Sequence, residues 1–276
     1  MRHLSASLTA PRRALAALSR QRRRKVAPFL LLLVCLGVTG GAYTAFAPSP
    51  QAEAASGASV ESIKDGRALF LRNCSSCHGL NSEGSSDAPS LIGVGAAAVD
   101  FQVSTGRMPA AADGAQVEAK RPEFTHAEVA ALAAYIASLG PGPAIPDKDQ
   151  LDYTNVDAAQ GGAIYRTNCS MCHNFAGSGG ALTRGKYAPS LMGVSGKHVY
   201  EAMLVGPQSM PVFNDTNIDP KAKQDIIAYL NSVHTQASPG GLTLGNLGTI
   251  PEGLFVWVVG LAALIGCAVW LGSKSA

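Results

Sequence analysis

Charge is scarce in this sequence. Only 15% of its 276 residues are Asp, Glu, Lys or Arg, against 47% apolar, which excludes an intrinsically disordered chain and leaves ample material for buried cores. Acidic residues are missing altogether from the first 27 positions, which carry eight of the 22 Lys/Arg. The formal net charge of +3 therefore misdescribes the rest: from Pro48 to Ile250 there are 13 basic and 18 acidic residues, a net of −5. A chain whose bulk is acidic binds polyanions poorly, which excludes nucleic acid as a partner. Alternating apolar and polar runs are also lacking, which argues against a substantial sheet and against a βαβ unit.

What the sequence does have is two long apolar segments, one near each end. "VAPFLLLLVCLGVTGGAYTAF", residues 26–46, follows a basic tail, 1–25. "IPEGLFVWVVGLAALIGCAVWLG", residues 250–272, has no charge between Gly253 and Gly272 and is followed by Lys274. The second is long enough to cross a bilayer, which takes about 20 residues. The first reads either as a transmembrane anchor or as a signal segment, because Ala45-Phe46-Ala47 has the small-x-small form of a cleavage site. Basic flanks stay in the cytoplasm, so the expectation is a membrane protein with residues 47–249 exported and the C-terminus cytoplasmic. Cys35 and Cys267 lie inside these spans and read as small apolar residues.

The other four cysteines are concentrated in two nearly identical pieces, "NCSSCHG" from Asn73 and "NCSMCHN" from Asn168. Superimposing them aligns further blocks in the same order, the mark of an internal repeat. "APSLIGV" from Ala88 faces "APSLMGV" from Ala188, "GRMPA" from Gly106 faces "QSMPV" from Gln208, and "AYIASL" from Ala134 faces "AYLNSV" from Ala228. The expectation is two homologous domains, 59–140 and 152–238, joined by a proline-rich linker, 141–151, and followed by a second linker, 239–249. Each domain should open and close with a helix. Thr125-His-Ala-Glu128 is a capping box before Val129, Leu132, Ala133 and Ile136, with Gly140 as the stop. Asp219 caps a second closing helix with Pro220 at its first position.

Cys-x-x-Cys-His places Cys74, Cys77 and His78 on one helical face, and likewise Cys169, Cys172 and His173. This is the attachment pattern of c-type haem: two thioether sulfurs and a histidine that binds iron. A thioredoxin-type dithiol belongs beside a βαβ pattern, and a zinc site would need the two pairs to converge although each has its own histidine. A disulfide across three residues of a helix is strained. The reading is therefore two covalently bound haem c groups. Met108 and Met210 are the candidate second axial ligands, each followed by a proline that helps fix its loop. Met192 and Met203 are assigned to core filling, Met171 lies between two cysteines on the proximal side, and His126, His198 and His234 have no counterpart in the register. No catalytic residue is expected.

Over about 165 residues, each half resembles a class I cytochrome c domain, carried by "CSSCH…PSL…MP" and "CSMCH…PSL…MP". The resemblance implies an all-α fold. It implies that Gly66 packs on the closing helix beside Phe70 and Tyr135, with Gly161, Tyr165 and Tyr229 as their counterparts. It also implies that the carbonyls of Pro89 and Pro189 hold the axial histidines. With its terminal hydrophobic segments the tandem resembles the cytochrome cc subunits of actinobacterial menaquinol–cytochrome c reductases, the bc complexes. That implies an electron-transfer subunit of a quinol–cytochrome c reductase (translocase), with no substrate chemistry of its own. Its partners would be cytochrome b, the Rieske iron–sulfur protein and a terminal cytochrome c oxidase. Residues 59–140 carry 6 basic and 9 acidic residues and residues 152–238 carry 6 and 6, so the domains present different faces. The second, tethered domain is expected to stay near the reductase and the first to reach the oxidase. Two alternatives share the motifs: the cytochrome subunit of a periplasmic dehydrogenase or another oxidase, and a dihaem peroxidase. The matched Met-Pro blocks argue against the open distal site that a peroxidase needs.

Overall fold

The computed structural model describes residues 27–46, 58–112, 114–236, 244 and 249–273. The basic tail 1–25, Ala47, most of the 239–249 linker and Lys274 lie outside them. The chain divides into two compact units, Met1–Pro50 and Gln51–Ala276. In the first, helix α1 (Ala27–Phe46) is apolar over Pro28–Ala42, and Phe29, Leu31 and Leu33 are exposed.

The second unit is mostly helical, as the absence of alternating runs requires. Its helices are α2 (Val60–Asn73), α3 (Ser75–His78), α4 (Gly95–Ser104), α5 (His126–Ala137), α6 (Ala158–Asn168), α7 (Ser170–His173), α8 (Gly196–Val205), α9 (Pro220–Thr235) and α10 (Thr249–Ser273). The only strands among the described residues are β1 (Gly180–Ala181) and β2 (Tyr187–Ala188), an antiparallel pair that aligns Gly180 with Ala188. The helix starts follow their local chemistry. Thr125 and Glu128 form the expected reciprocal capping box on α5, and Asp219 accepts from the Ala222 amide with Pro220 at the first position of α9. Ser59 and Asp157 cap α2 and α6 in the same way, each satisfying amides that helix geometry leaves unpaired.

Two apolar cores result. Leu69, Phe70, Val99, Leu132, Tyr135 and Ile136 build the first; Tyr165, Tyr200, Met203, Ile226, Ile227 and Leu230 build the second. Burying each large side chain contributes about 1.5–3 kcal/mol. In both cores the opening and closing helices cross at a glycine. A methyl group added at Gly66 would overlap the Ala131 carbonyl, and one at Gly161 would overlap the Asp225 carbonyl. An aromatic pair flanks each crossing, with ring centroids 5.4 Å apart for Phe70–Tyr135 and 5.3 Å for Tyr165–Tyr229. Tilted aromatic pairs at this separation add to area burial.

The 141–151 segment is anchored at both ends. Pro143 accepts from the Ala97 amide at 3.1 Å, and Ile145 packs on the first core. Leu151 and Tyr153 pack on the second core, and Gln224 donates to the Asp149 carbonyl at 2.6 Å. Helices α4 and α8 then pack against each other across a seam. Helix α10 contains the stretch Ile250–Ser273, the one helix among the described residues long and apolar enough to cross a membrane.

Gly161→Ala and Gly66→Ala are each expected to destabilise the folded protein by about 1–3 kcal/mol or more, because the overlapping atom is backbone and cannot swing aside. Gly260→Ala, where a methyl meets nothing within 4 Å, should leave the midpoint unchanged. Denaturant unfolding of the detergent-solubilised protein, followed by circular dichroism, checks all three.

Candidate functional site

The two cysteine-rich pieces are built the same way. Asn73 closes α2 by donating its side-chain amide to the Leu69 carbonyl at 2.8 Å, and Asn168 closes α6 on the Ile164 carbonyl at 2.9 Å. The Cys74 and Cys169 amides end the helices on Phe70 and Tyr165, both at 2.8 Å. Ser75 and Ser170 then bond back to the Leu71 and Arg166 carbonyls, both at 2.8 Å. The repeated Asn-Cys-Ser is thus a side-chain device for stopping one helix and starting a short second one. That second helix, α3 or α7, carries the outer cysteine and the histidine.

Beyond each histidine the backbone turns through positive φ, 80° at Gly79 and 64° at Asn174, a region glycine and asparagine enter most readily. The Gly84 amide donates to the His78 carbonyl at 2.8 Å and the Gly179 amide to the His173 carbonyl at 3.0 Å. These loops return Pro89 and Pro189 to the rings. His78 Nδ1 lies 2.8 Å from the Pro89 carbonyl oxygen and His173 Nδ1 lies 3.0 Å from that of Pro189. Each Nδ1 therefore carries the proton and donates, leaving Nε2 as the ring's lone-pair nitrogen. The separations are 11 and 16 residues; the longer loop accommodates the β1–β2 pair.

Both histidines are buried, at 8% and 9% exposure. Burial holds the His173 pKa below the ordinary imidazole range, partly opposed by the Pro189 hydrogen bond. The neutral ring is the form that binds metal. Burial, with a smaller contribution from the neighbouring cysteine, pushes the Cys74 and Cys169 thiols up to about 11. All four motif cysteines are free thiols, with Cys77 and Cys172 exposed.

Met108 and Met210 each pack against the edge of their own core. Met108 follows α4, its amide held by the Gln102 carbonyl at 2.9 Å; Met210 follows α8, its amide held by Pro207 at 3.0 Å. The loop after Met210 is fastened to α9 by Lys223, which is fully buried and donates to Asp215 and to the Ile218 carbonyl, both at 2.6 Å. Removing Asp215, itself half exposed, would leave the buried Lys223 ammonium with the Ile218 carbonyl alone.

Other side chains resolve differently. Met203 is buried in the second core, as expected, whereas Met192 is 39% exposed: it sits in the loop after Pro189, outside the helix crossing that forms that core. Met171 is 89% exposed. His234 faces the Ala176 carbonyl at 3.0 Å, and Tyr165 and Tyr229 donate to Asn174 and Phe175 at 2.9 and 2.7 Å. These three ties fix the segment after His173. Sequence spacing gives no signal for them beyond the presence of hydroxyl and imidazole groups on the two crossing helices. His198 lies on the α4–α8 seam, where its Nε2 is 3.0 Å from Ser104 Oγ.

The donor chemistry suits a c-type haem in both halves: two free thiols one helical turn apart, a buried imidazole with Nδ1 already engaged, and a thioether-bearing loop against the same core. The family comparisons agree. Residues 63–140 match the family described as Cytochrome c, and residues 156–230 match the one described as Cytochrome C oxidase, cbb3-type, subunit III. The cytochrome bc1 complex cytochrome c subunit of Mycobacterium leprae is 45% identical over 252 residues, covering 89% of this chain and 87% of that protein. The subunit of the same name from Mycobacterium tuberculosis is 44% identical over 262 residues, covering 93% and 94%. That from Corynebacterium efficiens is 42% identical over 271 residues, covering 93% and 92%. With shared identity over nearly the full length of proteins from two genera, the chain belongs to the family of actinobacterial cytochrome bc1 complex cytochrome c subunits.

Proposed function

We propose that this chain carries two covalent haems, one in each half, and relays single electrons from a Rieske iron–sulfur protein to a terminal cytochrome c oxidase. The observation that carries the reading is the doubled arrangement of a buried histidine tied through Nδ1 to a proline carbonyl. A bound haem supplies one-electron chemistry at its iron, with a potential that methionine–histidine ligation raises. Cys74 and Cys77 would hold the first haem by thioethers and Cys169 and Cys172 the second. His78 and His173 would present Nε2 to iron, and the Pro89 and Pro189 carbonyls orient the rings and increase their basicity. Met108 and Met210 would close the opposite faces, leaving no open position for a substrate.

The cytochrome domains would lie on the outer face of the cell membrane, with α10 packed against a cytochrome b subunit and the C-terminus cytoplasmic. The second half, tethered through 239–249, would take electrons from the reductase and the first would deliver them to the oxidase. Quinol oxidation belongs to other subunits.

Replacing Met108 or Met210 by His, one at a time, is expected to lower the potential of one haem and leave the other in place, since histidine donates more strongly than a thioether. Spectroelectrochemical titration reads both potentials; if neither moves, the distal assignment is wrong. A C-terminal tag should recover a b-type cytochrome and a Rieske protein from membranes solubilised in mild detergent. Recovery of a dehydrogenase, or of the tagged chain alone, would remove the reductase assignment.

A further inference from the structure

The α4–α8 seam holds more ionisable groups than its burial accommodates. Asp100 from α4 is 7% exposed and Glu201 from α8 is 0% exposed. One carboxyl oxygen of each lies within 4.8 Å of the other. Lys197 Nζ lies 2.6 Å from Asp100 Oδ2 and 3.7 Å from Glu201 Oε1. His198 is the fourth member: one ligand-type atom each from Asp100, His198 and Glu201 lies within 4.8 Å of the others. Both Glu201 oxygens lack a conventional donor.

The charges do not balance if every group is ionised as in water. One ammonium neutralises one carboxylate, not two. The imidazole does not supply the missing charge: burial holds His198 below its ordinary pKa, Asp100 opposes this, and Lys197 and Arg107 reinforce it. Arg107 itself lies over the Phe101 ring, 4.8 Å from the centroid. Helix α9, packed on α8, spends its buried Lys223 on Asp215, and its Asp225 on Lys221 and the Asp157 amide. The groups that bear on Glu201 are therefore Asp100 and Lys197. Two buried carboxyl groups this close, facing a single ammonium, cannot both stay ionised without strong repulsion, and one proton between them removes it.

We propose that Asp100 and Glu201 share one proton, so that the seam between the two halves is a proton-binding site whose occupancy holds α4 against α8. Glu201, the more deeply buried member, carries the proton and donates it to the Asp100 carboxylate, which Lys197 neutralises. Burial, with the adjacent Asp100 charge, pushes Glu201 up to about 9. A divalent cation could balance the same charges, but the Lys197 ammonium already stands beside Asp100 where such an ion would lie. Opening the seam returns Glu201 to water, where a carboxyl is ionised at neutral pH, so opening releases a proton. The sign follows: seam stability is greatest below the ordinary glutamate pKa, is lost as pH rises toward the raised value, and is flat above it. Over that window the open fraction grows about tenfold per pH unit. The inference stands on the seam alone and does not depend on the haem assignment.

The test uses the full-length, haem-loaded protein in detergent. The infrared difference between wild type and Glu201→Gln at neutral pH should show a protonated carboxylic acid carbonyl that shifts in deuterium oxide and is absent from the variant. Amide hydrogen exchange in α4 and α8, corrected for the intrinsic rate, should show opening that rises about tenfold per pH unit between about pH 6 and 8. In Glu201→Gln, whose amide donates to Asp100 at every pH, that slope should vanish. If this variant does not accumulate, Asp100→Asn tests the same point, because Lys197 then pairs with an ionised Glu201 and both the acid band and the slope should disappear. Absence of the band in wild type, or a flat exchange profile there, overturns the proposal. So does one equivalent of a divalent metal per chain, retained on dialysis and lost with His198→Ala, which would assign the cluster to a cation instead.

Discussion

A histidine that would bind iron has to be aimed with the lone pair of one ring nitrogen free, and the contact between Nδ1 and a proline carbonyl sets that aim. The hydrogen bond fixes the tautomer, so Nε2 keeps its lone pair, and it stops the ring from rotating. At 2.8 Å from Pro89 and 3.0 Å from Pro189 the two rings are held alike. Much of the surrounding structure serves this contact. The Asn-Cys-Ser piece ends one helix so that the next presents the histidine inward. The positive-φ residues Gly79 and Asn174 turn the chain away, and the amides of Gly84 and Gly179 close each loop on the histidine's own carbonyl. Below the loops, the glycine crossings bring α2 to α5 and α6 to α9 into close contact.

The same plan is executed twice, but the two copies are not equally fastened. In the second half, Tyr165, Tyr229 and His234 tie the segment after His173 to the helices beneath it, and Lys223 ties the loop after Met210 to α9. In the first half Phe70 replaces the tyrosine of the opening helix and has no hydroxyl to donate. Among the described residues the β1–β2 pair has no counterpart in the first copy. Additional ties suit a half that, on the proposed reading, passes electrons without yielding its own geometry.

Much of this was legible in the sequence because it is local or repeated. The cysteine–histidine spacing, the capping box at Thr125 and the cap at Asp219 all depend on residues a few positions apart or on a register shared by two copies, whereas the glycine–aromatic crossings came from family resemblance. The two proline carbonyls were reached through family resemblance, since a backbone oxygen leaves no mark in composition. What escaped reading was non-local or unpaired. The α4–α8 seam joins Asp100 and Glu201, which stand at the sixth position of the matched helices Gly95–Ser104 and Gly196–Val205; the register aligns two acidic residues but gives no sign that the two copies meet there, and Lys197 and His198 face alanines in the first copy. Met192 was assigned to the core on its chemistry alone, yet it falls just past Pro189, where the chain is at the surface. The 141–151 segment reads as a linker from its prolines, but proline says only that the backbone is stiff. It does not say that Pro143 and Ile145 lie on one core and Leu151 and Tyr153 on the other.

That anchoring changes what the seam must do. With the connection pinned at both ends, few residues remain free between the halves, so the entropy lost when α4 meets α8 is small. The contact can then hold with modest direct stabilisation. The seam also includes Gln116, whose side chain accepts from the Tyr187 amide at 3.0 Å, and the Val117 amide, which reaches Gln208 at 3.3 Å. Both bonds connect the loop after Met108 to segments beside Pro189 and Met210. The seam is thus made from the elements that lead into the two candidate methionine ligands and the proline of the second histidine. A buried ion pair alone would be a weak fastener in such a place, because desolvation offsets most of its attraction. Lys223 and Glu201 illustrate two remedies available to a fully buried ionisable group: Lys223 has a carboxylate and a carbonyl as partners, while on the proposed reading Glu201 takes up a proton. The first remedy is permanent and holds a loop, and the second is reversible and lies where two halves meet.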